Sequence, residues 1–389
     1  MILRARFVAT MDGPPIENGA VVIEGESIAA VGAFPEVRRV HQGEIVDLGE
    51  RVILPGLINA HCHLDYTCLR GRIPPQESFT GWVRAINAAK AQLTREDYIN
   101  SINQGFAEAR RFGTTSMVNL TAFPELIQFV RPTTRTYWMA ELIDVRTPAK
   151  AQETVSGAMK SLESLPLRGL APHAPYTASR ELYQACQEQS VLLTTHLAES
   201  REEMMMFRDQ AGALYNFIRS INPAFDSGAL TPLAYFLKNL DRGEPWLIAH
   251  LNELTEADFA LLKQRNPKLG IVHCPRSHEF FGHSPFQFDR LKQQFPVSLG
   301  TDSLASNQDL NLFAEMRHFR GAFPNTTPEE VLGMVTRTPC LARLGQLRPS
   351  WYADLIAVPI ISSGRDLFEQ IIAFEGQPWA MIGGETGTL

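Results

Sequence analysis

The sequence predicts an α/β protein, a (β/α)8 barrel set in a β-rich frame. Three observations carry this. Short apolar runs alternate with helical segments through the middle of the chain. The runs number eight. Polar residues able to hold a metal stand at their ends, where a barrel of this kind places its active site.

The frame comes first. "RARFVAT", "GAVVIEG" and "SIAAVGA" in the first fifty residues are short apolar stretches separated by Gly, Pro, Asp and Asn, which is turn chemistry. "DLIAVPI" and "PWAMIGGE" near the other end have the same character. Between them lie the eight runs: "VILPGLINAH", "TTSMVNL", "TRTYWMAELI", "LRGLAPHAP", "VLLTTHLAE", "PWLIAHL", "LGIVHCP" and "PVSLGTDS". Each is too short to be a helix. The intervening stretches carry helical signals: Ile99, Ile102, Phe106 and Ala109 recur at helical spacing. A helix is expected from about Pro148 to Leu162, another from Ser179, and another opened by Thr255 with Asp258 three residues on. Thr327, Pro328 and Glu330 predict a capping box at the last helix.

Composition excludes several classes. A chain of 389 residues with 44% apolar and 20% charged residues can bury a large core. A net charge of −6 offers no basic footprint for nucleic acid. No apolar run reaches the roughly 18 residues of a membrane helix. The start, "MILRARFVATMDGPP", lacks the pattern of a signal peptide. Five cysteines without a CxxC pair argue for a reducing compartment, so a cytoplasmic protein is expected.

The strand ends carry the chemistry. His61 and His63 close the first run; strand alternation points both to one side and Cys62 to the other, making Cys62 a poor ligand. His173, His196, His250 and His273 end runs four to seven, and Asp302 ends run eight. A single strand-end histidine is ordinarily a hydrogen-bonded core residue; the joint arrangement points to a metal. Three imidazoles and a carboxylate suit zinc or iron(II) in a catalytic site. Run four has no lysine to bridge a second ion, so one metal is expected.

The motifs "GAVVIEGESIAAVG", "VILPGLINAHCHLDYTCLRG", "RRFGTTSMVN", "APHAPYTAS", "THLAES", "AHLNELT", "VHCPRSHEFFG", "LGTDSLAS" and "YADLIAVP" span nearly the whole chain. In this order they resemble the amidohydrolase superfamily, in the branch of the cytosine, guanine and S-adenosylhomocysteine/methylthioadenosine deaminases and the triazine chlorohydrolases. The resemblance implies that residues 1–53 and 346–389 pair into a small β-sandwich beside a barrel of residues 54–345. It implies metal ligands His61, His63, His196 and Asp302. Glu199 matches the family's proton-shuttling glutamate, and His250 the histidine that steadies the attacking water or the intermediate. His173 falls where related enzymes contact substrate. His273 is expected to be structural.

Two departures bear on the substrate. Related nucleoside deaminases carry a ribose-binding glutamate where Lys90 stands, and the usual "CPxSN" reads "CPRSH", with His278 for asparagine. Lys90 and His278 join Arg70, Trp82 and Ser303 as candidate substrate contacts. His283, Phe280 and Phe281 are open between wall, core and surface. Cys186 fits a buried helix face with Leu182, Cys340 is assigned to the last helix, and Cys68 has no clear role.

The expected activity is a metal-dependent deaminase of an aminated nitrogen heterocycle. A modified purine nucleoside such as aminofutalosine, S-adenosylhomocysteine or methylthioadenosine is the leading substrate class. A hydrolase expelling another group, formimino or chloride, is the alternative, and an inactive ligand-binding barrel a third. The partners expected are the small heterocycle and, for a homo-oligomer, further copies of the chain.

Overall fold

The computed structural model describes residues 1–240, 245–361 and 366–386. Two sheets organise the chain. The terminal segments build a mixed seven-stranded sheet, in the order Trp379–Met381, Leu355–Pro359, Arg51–Pro55, Ile2–Val8, Ile16–Glu24, Ser27–Ala33, with Ile45–Asp47 also paired to Ile2–Val8. One face packs Leu3, Val21, Ile53 and Leu355 together. On part of the other, Val37 of the helix Phe34–Val40 packs against Ile2, Ala20 and Val22. The pairing forms one sheet partly covered by a helix, where two facing sheets were expected.

The second sheet is parallel and follows the eight runs. Its strands are Leu57–His63, Thr114–Thr121, Arg135–Leu142, Arg168–Pro172, Leu192–Leu197, Trp246–His250 and Leu269–His273. The eighth is in two pieces: Val297–Leu299 pairs with the seventh strand and Asp302–Ser303 with the first. Between them the Gly300 N–H bonds His273 O at 2.9 Å and the Thr301 N–H bonds His61 O at 3.1 Å. The sheet therefore curls until its ends meet. Its interior holds Val118, Leu120, Tyr137, Met139, Leu247 and Val272; Trp138, Leu193, Trp246 and Ile271 face the surrounding helices.

The first run divides at Gly56. Arg51–Pro55 belongs to the terminal sheet, and the barrel strand begins at Leu57. A Cβ on Gly56 would meet the Thr115 side chain at 2.0 Å, so only glycine permits the crossing. The same strand is irregular, with register shifts between Leu57 and Ile58 and between Asn59 and Cys62. The irregularity resets the alternation: Ile58 and Ala60 face the interior and Cys62 faces out.

Helix signals fared well where caps were strong. Thr255 and Asp258 form a reciprocal capping box. Thr327 accepts the Glu330 N–H at 3.1 Å, but the Glu330 carboxylate pairs with Lys292 at 3.1 Å rather than returning to the cap. The helix expected from Pro148 starts as a short 3-10 turn and is α-helical over Ala151–Ser161. Cys340 lies beyond the helix Pro328–Thr336, exposed and with φ of 70°. Leu182 and Cys186 are both buried.

Candidate metal centre and active site

The ends of the first, fifth and eighth strands converge. His63 Nε2 lies 3.3 Å from His61 Nε2 and 3.2 Å from His196 Nε2. Asp302 Oδ1 stands 3.8 Å from the Nε2 atoms of both His61 and His63. All four side chains are buried. Burial, reinforced by neighbouring histidines, holds the His61 and His63 imidazoles well below the usual histidine range. His196 Nδ1 lies 2.8 Å from His173 O, an atom that can only accept, so Nδ1 carries the proton and Nε2 keeps a free lone pair. Burial works against the Asp302 carboxylate, yet His250, His61 and the Ser277 hydrogen bond bring its pKa below the usual value. Ser277 Oγ and Ser306 Oγ donate to Oδ2, leaving Oδ1 toward the histidines. Three neutral nitrogens and a carboxylate oxygen facing one point are a set that a divalent cation satisfies.

Glu199 and His250 stand beside this set, with Glu199 Oε1 3.7 Å from His250 Nε2. Burial, then Asp302 and Glu203, push the Glu199 carboxyl well above its ordinary value. Burial takes the His250 imidazole down to about 3, so it is neutral. The Glu199 backbone is clamped: its N–H donates to Glu203 Oε2 at 2.7 Å, and its carbonyl accepts from Asn252 Nδ2 at 3.0 Å.

Backbone strain concentrates here. Ala198, His250, Leu251 and Asp302 have φ of 50°, 74°, 52° and 57°. Each such residue costs on the order of 1–3 kcal/mol, which only a constrained surrounding sustains. The effect at His250 is visible. Trp246 and Ile248 on the same strand face the helices, so strict alternation would send His250 outward. The positive φ breaks that alternation, and its ring lies 5.4 Å from His196 and 5.6 Å from His61.

These groups close the inner end of a cavity of about 540 Å³. Ser303 lines it, as does His173, whose Nδ1 meets Thr177 Oγ1 at 2.7 Å. Lys90 ends the helix Phe79–Lys90 at the cavity wall, its Nζ 4.7 Å from the Tyr66 ring centre. Trp82 from the same helix lines the outer part with Phe79, Ile143, Leu214 and Phe217. The cavity thus has a polar part around the metal set and an apolar part formed by these side chains.

Two candidate contacts do not reach the cavity. Arg70 follows a 3-10 turn, is exposed, and pairs with Glu108 on the helix Arg95–Arg111, which turns it away from the barrel mouth. His278 is held behind the wall, its Nδ1 3.2 Å from Asn252 Oδ1 and its ring 5.0 Å from that of His273. His273 itself stacks on Phe286 at 4.0 Å, outside the site. Phe281 packs edge-on against Trp82 at 4.8 Å.

Two groups, Arg146 and Glu141, escaped the sequence reading, and His283, left open there, proves buried at the site. His283 has a side chain only 5% exposed, with Nε2 3.9 Å from Glu199 Oε1. Arg146 and Glu141 line the cavity. Burial pushes the Glu141 carboxyl up to about 7, against the pull of Lys90. For Glu141 a signal existed: Tyr137, Met139 and Glu141 alternate along the third run, and the last stands at its C-terminal end. Nothing in the sequence distinguishes His283 from a surface histidine.

A curled parallel sheet with buried imidazoles and carboxylates gathered at its C-terminal rim is the arrangement of a metal-dependent hydrolase. The chain belongs to the Amidohydrolase family, whose model matches residues 52–373. It is 29% identical to a 5-methylthioadenosine/S-adenosylhomocysteine deaminase of Nitratidesulfovibrio vulgaris, over 99% of this chain and 90% of that one. Helicobacter pylori aminofutalosine deaminase in complex with methylthio-coformycin superposes with a TM-score of 0.87 at 19% identity, covering 100% of both chains. An adenosine deaminase from Xanthomonas campestris with bound zinc gives 0.83 at 22% identity, covering 99% of this chain and 92% of that one.

Proposed function

We propose that this protein is an aminohydrolase that removes the amino group of a modified purine nucleoside, using one zinc ion held by His61, His63, His196 and Asp302. The observation that carries the reading is the gathering of His61, His63 and Asp302 within metal-ligand reach of one another, with His196 Nε2 3.2 Å from His63 Nε2, beside Glu199 and His250. The metal, when bound, supplies Lewis acidity that lowers the pKa of water from 15.7 toward about 7. The remaining work falls to the chain. Glu199, its pKa raised by burial, moves a proton from the attacking water to the ring nitrogen. Neutral His250 hydrogen-bonds the oxygen that develops on the attacked carbon. Asp302, held ionised, accepts the second proton. The C–O bond forms, Asp302 returns its proton to the amino nitrogen, the C–N bond breaks, and ammonia leaves.

His173, Lys90, Trp82 and Ser303 are the substrate contacts in this reading, since all four line the cavity. Lys90 stands where related enzymes hold a diol-binding carboxylate. An ammonium donates hydrogen bonds, so the substrate carries an acceptor-rich or anionic group away from the reacting ring. The apolar part of the wall suits an apolar substituent between the two. Residues 1–53 and 346–389 form a unit apart from the chemistry, which residues 54–345 contain. No helix among the described residues is long and apolar enough to cross a membrane; we place the protein in the cytoplasm and leave a homo-oligomer as its assembly.

Ammonia release over methylthioadenosine, S-adenosylhomocysteine, aminofutalosine, adenosine, guanine and cytosine tests the reading. Preferred turnover of a substituted adenosine is expected. Release of chloride or formimino nitrogen from other substrates, with no ammonia from any purine, would replace deamination by the alternative hydrolysis. No turnover of any compound by the metal-loaded protein would leave a binding barrel.

A further inference from the structure

Glu141 is the one carboxylate of the cavity that the mechanism above does not use. It stands at the end of the third strand, its side chain 5% exposed. Its Oε1 is buried without a hydrogen-bond partner. His63 Nδ1, also buried, has none either. The two atoms face each other at 3.8 Å. An imidazole that gives Nε2 to a metal must carry its proton on Nδ1, which then needs an acceptor. His196 has one, the His173 carbonyl at 2.8 Å. His61 meets a carboxylate through Nε2, at Asp302, whereas the Glu141 carboxylate meets His63 on the Nδ1 side.

We propose that Glu141 is the positioning residue for His63: its carboxylate accepts the Nδ1–H and fixes the tautomer and ring orientation in which Nε2 ligates the metal. A shift of under 1 Å from the present 3.8 Å brings the pair within hydrogen-bond range. The proposal rests on the metal reading above. The carboxylate has no role at the reacting carbon.

The test measures zinc affinity of the full chain by competition with a chromogenic chelator. Wild type is titrated first; failure to bind zinc would overturn the metal reading and this proposal with it. Given binding, Glu141→Ala should weaken zinc about 10- to 100-fold, the range found for lost outer partners of metal ligands. Glu141→Gln keeps an acceptor oxygen and should lose less; it decides the matter if the alanine variant does not fold. In a His63→Ala background, Glu141→Ala should cost nothing further. Wild-type zinc affinity in the Glu141 variants would overturn the proposal. So would an equal loss with and without His63. A raised KM at unchanged zinc affinity would make Glu141 a substrate contact instead.

Discussion

The terminal sheet and the barrel mouth solve opposite problems with the same chain. In the terminal sheet polar groups are exposed or matched. Asp354 is the clearest case: buried, it accepts from Arg135 Nε at 2.7 Å and Nη2 at 3.2 Å and from the Gly383 N–H at 2.8 Å. Among the described residues, none of its buried side-chain polar atoms lacks a partner. The barrel mouth collects such atoms on His61, His63, Asp65, Tyr66, Trp82, Glu141 and His283. Burying an unmatched polar group costs about 1–3 kcal/mol, so a cluster of them marks a place where water, a metal or a substrate can supply the missing partners. Stability was spent at the mouth and kept in the sheet.

That contrast can be broken most severely at the metal set. Asp302→Ala should abolish zinc retention, read by elemental analysis, and remove turnover. Metal assistance is worth several kcal/mol, so at 1.36 kcal/mol per decade the loss should be about a thousandfold or more. Full zinc with normal turnover would mean that the cluster is not the metal site.

Glu199→Gln comes next. It preserves shape but cannot shuttle a proton, so kcat should fall about 10²- to 10⁴-fold with zinc content and melting temperature nearly unchanged. Retention of more than about a tenth of wild-type turnover would leave Glu199 structural.

Lys90→Ala should do less. A charge-assisted hydrogen bond is worth roughly 1.5–3 kcal/mol, which predicts a loss in kcat/KM of about 10- to 150-fold, carried by KM. A truncated neutral ring should be spared. Lys90 also stands near Asp65 and Glu141, whose carboxyls its charge draws down. Equal kinetics for variant and wild type would assign the ammonium to those two carboxylates.

The smallest effect on catalysis belongs to the terminal sheet. Leu3 is fully buried there. Leu3→Ala should cost about 2–5 kcal/mol of stability in denaturant unfolding, while kcat/KM per folded molecule stays at the wild-type value. A changed kcat/KM would show that the two regions are coupled.

Much of the barrel was legible because its signals are local. Each strand is a short apolar run bounded by turn residues, and a strand-end histidine can be read from its own run, as at His196 and His250. Arg70 and His278 lie outside the cavity lining, because proximity to a motif in the chain says nothing about the direction of a side chain. Arg70 found Glu108, and His278 found Asn252.

The sequence by itself located the strand–helix alternation, the approximate places of the barrel strands and the identity of the groups at their ends, because hydrophobic periodicity and turn chemistry act within a few residues. Tertiary structure alone decided where those groups point. The strand irregularity between Asn59 and Cys62 set the phase that faces His61 and His63 to the interior. The positive φ at His250 turned a helix-facing position into a site position. The closing of the sheet through Gly300 and Thr301 brought Asp302 beside His63, far from it in the chain. The curl also set Glu141 against His63 and His283 against Glu199, contacts between segments far apart in the chain, made only when the whole sheet has closed.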